Sequence, residues 1–399
     1  MRGLLAGGML ALALASCAPA PKPEPVPTPA PPTGPDRAIL RPAAFTDLPG
    51  WRDDAVSAAL PALRRSCERL AKLPSGRAIG ADGQGGTVGD WYGLCAAAGR
   101  LPAGDDAAAR AYFETWFQPA LVTRGGADDT GTFTGYYEPE LIGSRGRKGR
   151  FTLPLLGRPK DLVTMDLGKF RPDLGHEQLA GRVVGSRFEP YPPRAEIESG
   201  ALDGIAQPLV WLDDPVDAHI LHIQGSGRIR LDDGAVMRVG VAATNGQKFV
   251  GIGRVLKDKG KLDGDISMPA IRAWLKAHPA EAVALMAENP RYVFYRVVEG
   301  DGPVGSEGVA LTPERSLAVD TRHVPLGMPL WLDTVDPAGK PLRRLVMAQD
   351  TGAAIKGVVR GDFFWGAGEA AFQMAGRMKS QGRYWMLIPR TRTPNVAAR

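Results

Sequence analysis

Apolar residues recur at three- and four-residue spacing over 52–72 and again over 104–118 (GDDAAARAYFETWFQ), which is the spacing of helices with one buried face. Asp105 or Asp106 stands where the second helix needs an N-cap. From Gly131 to about Val241 the chain turns to Gly, Pro, Thr and alternating apolar positions. FTGYYEPEL, GRFTLPLLGRP, QPLVWLDD and AHILHIQGSGRIRLDDGAVMRVGV read as short strands broken by turns, the last with a hairpin turning at Asp-Asp-Gly. Helical periodicity returns in FVGIGRVLKDKG and in MPAIRAWLKAHPAEAVALMAENP, which Pro279 splits. Strands resume with RYVFYRVV (291–298), SLAVD, PLWLDTV, RRLVMAQD and the terminal RYWMLIPR, and a further helix fits GEAAFQMAGRMKS. Helix, strand, helix and strand in that order predict an α+β chain, mainly β, whose middle part is an inserted β-rich domain.

The N-terminus follows none of these patterns. Arg2 precedes an apolar run from Leu4 to Ala15, shorter than the ~20 residues a bilayer requires and suited to a signal-peptide core. The run ends in LASC, residues 14–17, which resembles a bacterial lipobox. That resemblance implies cleavage before Cys17, lipidation of its thiol and membrane anchoring; the alternative is an ordinary signal peptide with an incidental Cys. Residue 18 is Ala rather than Asp, which by analogy with lipoprotein sorting favours the outer membrane. Residues 18–40 are dominated by Pro and Ala and read as a semi-rigid tether that holds the body off the membrane.

Composition narrows the remaining classes. The 44 % apolar and 23 % charged fractions are those of a globular protein. A net charge of +6 suits a substrate bearing carboxylates. No compact basic motif with interleaved aromatics points to nucleic acid. Cys67 and Cys95 lie in two helix-like segments, and in an oxidising compartment they read as a disulfide; two buried free thiols are the other reading. Five scattered His with no His/Cys pair at ligand spacing give no metal site.

Candidate chemistry concentrates in three places. Asp320 (SLAVD), Asp350 (RRLVMAQD) and Asp362 (VVRGD) end strand-like runs or sit just beyond one, which puts carboxylates at a sheet edge, where clefts form. Taken singly, such aspartates more often satisfy turn N–H groups. Residues 347–366, MAQDTGAAIKGVVRGDFFWG, surround two of them with small and aromatic residues. A carboxylate there must find partners or take a raised pKa, which is what a general acid needs near neutral pH. Tyr136 and Tyr137 in FTGYYEPEL offer faces for sugar stacking, or belong to the core. HIQGSGRIRL presents Gln224 and Ser226 among glycines that let a ligand approach the backbone. It lacks the Gly-Lys-Ser/Thr ending of a phosphate loop. VAATNGQ adds Thr244, Asn245 and Gln247, or is simply a turn. No GxSxG is present. His222 and Ser226, four apart on one expected strand, would stand ~13 Å apart, so His219, His222 and His323 read as structural.

In order behind the lipobox, TGYYEPE, HIQGSGR, ATNGQ, AVDTRHVPLGMPLWLDT and QDTGAAIKG–RGDFFWG resemble the membrane-bound lytic murein transglycosylase A family, with its C-terminal three-aspartate domain. The similarity runs from roughly residue 45 to residue 390. Two departures are visible: Gly352-Ala353 where the family usually has Gly-Gly, and Val241 where it often has Tyr. The resemblance implies a double-psi β-barrel domain with helices, built from 41–138 plus 297–399, and an inserted smaller β-rich domain at 139–296, with a groove between them. It implies non-hydrolytic cleavage of the β-1,4 bond between N-acetylmuramic acid and N-acetylglucosamine, leaving 1,6-anhydro ends, without a cofactor. By the family's motif the acid/base role falls to Asp362, with Asp350 as companion and Asp320 in support, and Phe363, Phe364 and Trp365 form the apolar surround. Thr134, Tyr136, Tyr137, Glu138, Gln224 and Ser226 line the saccharide groove. The implied partners are peptidoglycan strands and, through the lipid anchor, the periplasmic face of the outer membrane; the sequence names no cell-wall synthesis or division protein. A hydrolytic muramidase, a non-catalytic peptidoglycan-binding lipoprotein and an enzyme acting on another polysaccharide are the competing readings.

Overall fold

The computed structural model describes residues 37–80, 83–174, 178–264, 266–300 and 302–390. Cys17 and the signal-like segment lie outside the described residues. Ala38–Leu40, expected in the tether, begin a strand instead.

In chain order the strands are β1 (Ala38–Pro42), β2 (Phe117–Arg124), β3 (Gly131–Glu138), β4 (Glu140–Ser144), β5 (Leu153–Leu156), β6 (Val163–Asp166), β7 (Gln178–Val184), β8 (Arg187–Pro190), β9 (Pro208–Leu212), β10 (Ser226–Leu231), β11 (Val236–Thr244), β12 (Val293–Val298), β13 (Ser316–Val319), β14 (Pro329–Val335), β15 (Pro341–Asp350), β16 (Arg360–Ala367) and β17 (Lys379–Pro389). The α-helices are α1 (Leu60–Leu70), α2 (Tyr92–Arg100), α3 (Asp106–Trp116), α4 (Arg194–Glu196), α5 (Pro215–Gln224), α6 (Ile252–Asp258), α7 (Met268–Ala277), α8 (Pro279–Ala287) and α9 (Gly368–Ala375). The chain is mainly β, with mixed sheets and helices packed against them.

Among the described residues the largest sheet runs β1-β2-β17-β14-β15-β13-β16-β3, and β17 also pairs with β3. That extra pairing closes six of its strands into a barrel. Two of its pairs are parallel, β13–β15 and β16–β3. Every strand of this sheet comes from before residue 139 or after residue 315. Between them lie a six-stranded sheet, β12-β11-β10-β4-β9-β5, and a three-stranded one, β6-β7-β8. The barrel core includes Trp331, Phe133, Phe363 and Tyr384, all fully buried. Helices α1–α3 extend that core, and Trp51 packs edge-on against Trp331 at 5.1 Å. A disulfide between Cys67 and Cys95 ties α1 to α2.

The helical periodicity around residues 104–118 stops at Trp116, where Phe117 turns extended and starts β2. Asp105 caps α3, its side chain accepting from the Ala108 N–H. AHILHIQ, expected as strand, is the body of helix α5. Asp214 caps it by accepting from the Val216 and Asp217 N–H groups, Pro215 occupies its first turn, and Gly225 ends it with φ +83°. These terminal signals outweigh a local run that also fits strand alternation. His222 therefore sits on a helix and Ser226 on β10, and the strand-spacing argument about them does not apply. His222 is buried, and its Nδ1 accepts from the Val293 N–H at 3.1 Å.

Candidate active site

Four neighbouring strands place the carboxylates. On β16, Asp362 lies opposite Thr134 of β3 on one side and Ala318 of β13 on the other. Ala318 in turn lies opposite Asp350 of β15. The row across the sheet is Asp350, Ala318, Asp362, Thr134, with the two carboxylates two strand spacings apart, roughly 9–10 Å between Cα atoms. An irregularity at Leu317/Ala318 creates this alignment, since the pairing steps from Ala348 to Asp350 and passes over Gln349. Bulges next to active sites re-aim side chains in this way. Here Gln349 turns inward, fully buried and bonded to Ser66, Ser316 and the Ala62 carbonyl, while Asp350 stays partly exposed and turns to Ser306 and Thr351.

Asp362 stands inside β16, two residues past its start, rather than at a strand end. The Thr134 hydroxyl donates to its Oδ1 at 2.5 Å. Arg360, two residues earlier on the same face, donates to Thr134 Oγ1 at 2.8 Å, which directs the hydroxyl hydrogen toward Asp362. Oδ1 is thus occupied and Oδ2 is left for a proton. Burial pushes the Asp362 carboxyl up to about 6, against the Thr134 bond and the Arg360 charge, which pull it down; the Asp350 charge adds to the rise. Burial also raises Asp350, in opposition to hydrogen bonds that favour its charged form. Those bonds come from the Ser306 N–H at 2.8 Å, the Ser306 hydroxyl at 2.9 Å and the Thr351 N–H at 2.9 Å, all on Oδ1. Both carboxylates keep partial access to solvent although protein surrounds them densely. The two carboxylates are therefore unequal: Asp362 has one donor and a proton within reach near neutral pH, and Asp350 is held by three.

Strand alternation also decides which aromatics matter. Phe364 shares Asp362's face and stacks obliquely on Tyr136, 5.1 Å between centroids. Phe363 and Trp365 lie on the opposite face, where Phe363 is core and the Trp365 indole reaches Met378. Of the expected apolar surround, only Phe364 shares the face of Asp362. Gly135 is required here, because a Cβ would stand 2.7 Å from the Trp365 ring. The buried Tyr136 hydroxyl makes no hydrogen bond of good geometry; its burial, with the charges of Asp350 and Asp362 adding to it, raises its pKa well above the usual value.

The remaining sequence candidates spread outward. Tyr137 points away from Tyr136 and packs on Phe372 at 5.3 Å. Gln224, at the end of α5, accepts from the Tyr137 N–H at 3.3 Å. Glu138 is buried between Arg228 and Arg238, 3.4 Å from each. Ser226 starts β10 opposite Gly240. Asp320 is buried and bonded to Arg322 and the Gly357 N–H, which hold its carboxyl down at about 2 against the cost of burial. It anchors the loop that links Asp350 to Asp362. Sequence reasoning missed Ser306, Ala318 and Arg360. Arg360 and Ala318 were legible from their two-residue spacing to a named Asp, since i and i+2 share a strand face. Ser306 had no such signal.

Two family models match this chain: the MltA specific insert domain over residues 132–296 and the 3D domain over residues 315–388. The membrane-bound lytic murein transglycosylase A of Escherichia coli is 33 % identical over 273 residues, covering 66 % of this chain and 67 % of that protein. The chain belongs to the lytic murein transglycosylase A family. The crystal structure of MltA from Neisseria gonorrhoeae superposes with a TM-score of 0.76 at 34 % identity, covering 94 % of this chain and 96 % of that one. The E. coli MltA crystal structure with bound chitohexaose does so with 0.63 at 27 % identity, covering 90 % and 95 %.

Proposed function

We propose that Asp362 serves this peptidoglycan lytic transglycosylase as its single acid and base. The row of Asp350, Ala318, Asp362 and Thr134 carries the reading. With Oδ1 held by Thr134, protonated Oδ2 donates to the bridging oxygen as the C1–O bond between N-acetylmuramic acid and N-acetylglucosamine breaks. The muramoyl C6 hydroxyl attacks C1 and gives its proton to the same carboxylate. One bond breaks, one forms, the proton returns, and no water is consumed. Glycosidases that use water need a second carboxylate to activate it or to attack; an internal hydroxyl removes that need. Asp350, fixed by Ser306 and Thr351, supplies negative charge beside a transition state of oxocarbenium character and helps keep Asp362 protonated.

Thr134 and Tyr136 would touch the reacting sugars, with Gln224 and Ser226 further along the groove. Tyr137 and Glu138 would shape it from behind, and Asp320 would hold the loop between the two carboxylates. The bound chitohexaose in the E. coli relative supports a saccharide groove. The closed six-stranded barrel with two parallel pairs supports a double-psi β-barrel made of 41–138 plus 297–399, with 139–296 inserted. The relatives' names support membrane association. Lipidation at Cys17 would place the body on the periplasmic face of the outer membrane.

The test is a digest of purified murein by the wild-type protein and by Asp362→Ala, read by mass spectrometry. Muropeptides one water lighter than hydrolysed ones, lost in the variant, are the expected result. Reducing ends would make the enzyme a muramidase. Binding without new ends would make it a binding lipoprotein, and full activity in the variant would remove Asp362 from the mechanism.

A further inference from the structure

The Ser306–Asp350 bonds join two short stretches of chain, 305–307 and 349–351, and the neighbouring residues join them again. Glu307 follows Ser306, and Gln349 precedes Asp350. The Glu307 N–H donates to the Gln349 carbonyl at 3.0 Å. Both side chains turn into the protein, where Glu307 and Gln349 are buried. The Gln349 Nε2 donates to the Ala62 carbonyl and to Ser66 Oγ, each at 2.9 Å, and its Oε1 accepts from the Ser316 hydroxyl at 2.7 Å. Ser66 and Ala62 lie on α1, which the Cys67–Cys95 disulfide ties to α2.

These bonds run in one direction. Ser316 Oγ accepts from the Thr312 N–H at 2.9 Å, so its own hydrogen goes to Gln349. Ser66 Oγ accepts from Gln349, so its own hydrogen goes to Glu307 Oε2, at 2.8 Å. Glu307 is the acceptor on which the series ends. Its Oε1 has no hydrogen bond of good geometry, and Gly327 leaves the room for it, since a Cβ there would stand 3.0 Å away. A buried carboxylate with one donor is costly, and an unpaired buried oxygen is rare in a native core. An apolar side chain would fill the same space at lower cost. It would also leave the Ser66 hydroxyl without an acceptor and free the 305–307 turn from α1.

We infer that Glu307 is a positioning residue for glycan cleavage: through Ser66 and Gln349 it fixes the 305–307 turn on α1 and so holds the Ser306 donors on Asp350. The inference rests on the role proposed above for Asp350. Ser306 supplies two of the three donors on Asp350 Oδ1. Loss of the Glu307 acceptor lets the turn shift, and both donors shift with it. Asp350 then no longer holds its charge at a fixed place beside Asp362.

The experiment is a double-mutant cycle on the initial rate of anhydro-muropeptide release, expressed per folded molecule from near-UV circular dichroism. Ser306→Ala and Glu307→Leu should each lower the maximal rate by about tenfold, the worth of one hydrogen bond to a charged group. The Michaelis constant for soluble murein strands should stay the same. Because Glu307 acts through Ser306, the double variant should fall well short of the product, about a hundredfold; a general loss of packing would multiply with Ser306→Ala and reach it. Glu307→Gln, which keeps an acceptor for Ser66, should recover most of the rate. If Glu307→Leu does not fold, Ser66→Ala takes its place in the cycle, with the same expected result. An unchanged rate in either single variant, a Glu307→Gln variant as slow as Glu307→Leu, or a double variant within about twofold of the product would each overturn the inference. Full rate in Asp350→Asn would remove Asp350 from the mechanism and the inference with it, whereas a slow Asp350→Asn beside a multiplicative cycle would remove the inference alone.

Discussion

Replacing Thr134 by Val keeps the shape of the side chain and removes one hydroxyl, the one that donates to Asp362 Oδ1 at 2.5 Å. A hydrogen bond to an ionised group contributes about 1.5–3 kcal/mol, and one pKa unit corresponds to about 1.4 kcal/mol. Because the Thr134 bond favours the charged form, its loss raises the Asp362 pKa by roughly one to two units. Arg360 then loses Thr134 as an acceptor and can lean its charge toward Asp362, which favours the lower end of that range. The sign for activity follows. The proposed acid step needs protonated Asp362, which is present below its pKa and lost as pH rises through it. Wild-type release of anhydro-muropeptides should therefore fall through a limb near pH 6, and Thr134→Val should move that limb upward. The maximal rate should drop as well, since Oδ2 is no longer oriented by a partner on Oδ1. Thr134→Ser, which keeps the hydroxyl, should leave the limb in place. The assay is initial rate against pH, with products counted by mass spectrometry. A limb that stays put or moves down in Thr134→Val would refute either the bond or the assignment of the acid.

Asp350→Asn removes the like charge that helps raise Asp362, so the same limb should move to lower pH and the rate should fall; an upward shift would contradict the coupling. Asp320 is held at about 2 against an ordinary 3.8, a contribution of about 2 kcal/mol that is present above pH 4 and lost as pH falls through 2. Urea melts of Asp320→Asn at pH 7 should show that loss, reduced by salt because Arg322 is half-exposed. Glu307 is buried, accepts from Ser66 at 2.8 Å, and is pushed up by burial to about 7. Its folded form holds a proton more tightly than the unfolded chain, so the associated stability, about 3 kcal/mol, is full below pH 4.5 and declines as pH rises to 7. Glu307→Gln should flatten stability over that interval, and an unchanged slope would remove Glu307 as its source. The double substitution Cys67→Ser with Cys95→Ser opens a link across 28 residues and should cost about 3–4 kcal/mol by loop entropy, read as a lower urea midpoint.

The helices α3, α7 and α8 could be read from periodicity because each buries one face. The strands SLAVD, PLWLDTV and RRLVMAQD are buried on both faces over much of their length and were legible instead as short apolar runs between turn residues. AHILHIQ misled because it is apolar nearly throughout, so period alone cannot separate strand from buried helix; Asp214-Pro215 before it and Gly225 after it held the deciding information. The carboxylates were legible as residue types in an apolar setting. Their relation was not: it depends on the irregularity that steps from Ala348 to Asp350, a property of two strands distant in sequence. The same holds for Ser306, brought to Asp350 by a turn in which Gly305 permits the backbone approach, since a Cβ there would meet the Gln349 carbonyl at 2.4 Å. Attributing the desolvation to Phe363 and Trp365 failed for a local reason, because a strand sends adjacent side chains to opposite faces.

Strand β3 links Asp362 to the second, six-stranded sheet. Thr134 bonds Asp362, and Tyr136 lies on the same face beside Phe364. Two residues on, Glu138 is buried at the end of the strand between Arg228 of β10 and Arg238 of β11. Burial raises the Glu138 carboxyl and the two cations oppose the rise. Removing either arginine would leave a buried charge short of a partner, which is far costlier than losing an exposed pair. Past Pro139 the chain continues as β4, which pairs in parallel with β10. One continuous segment therefore carries the acid's hydrogen-bond donor in the barrel and the ionic clamp on the inserted sheet. Displacing the inserted sheet relative to the barrel would strain that clamp at one end and the Thr134–Asp362 bond at the other. Under the proposed mechanism, positioning of the saccharide and protonation of Asp362 would be coupled through the same eight residues.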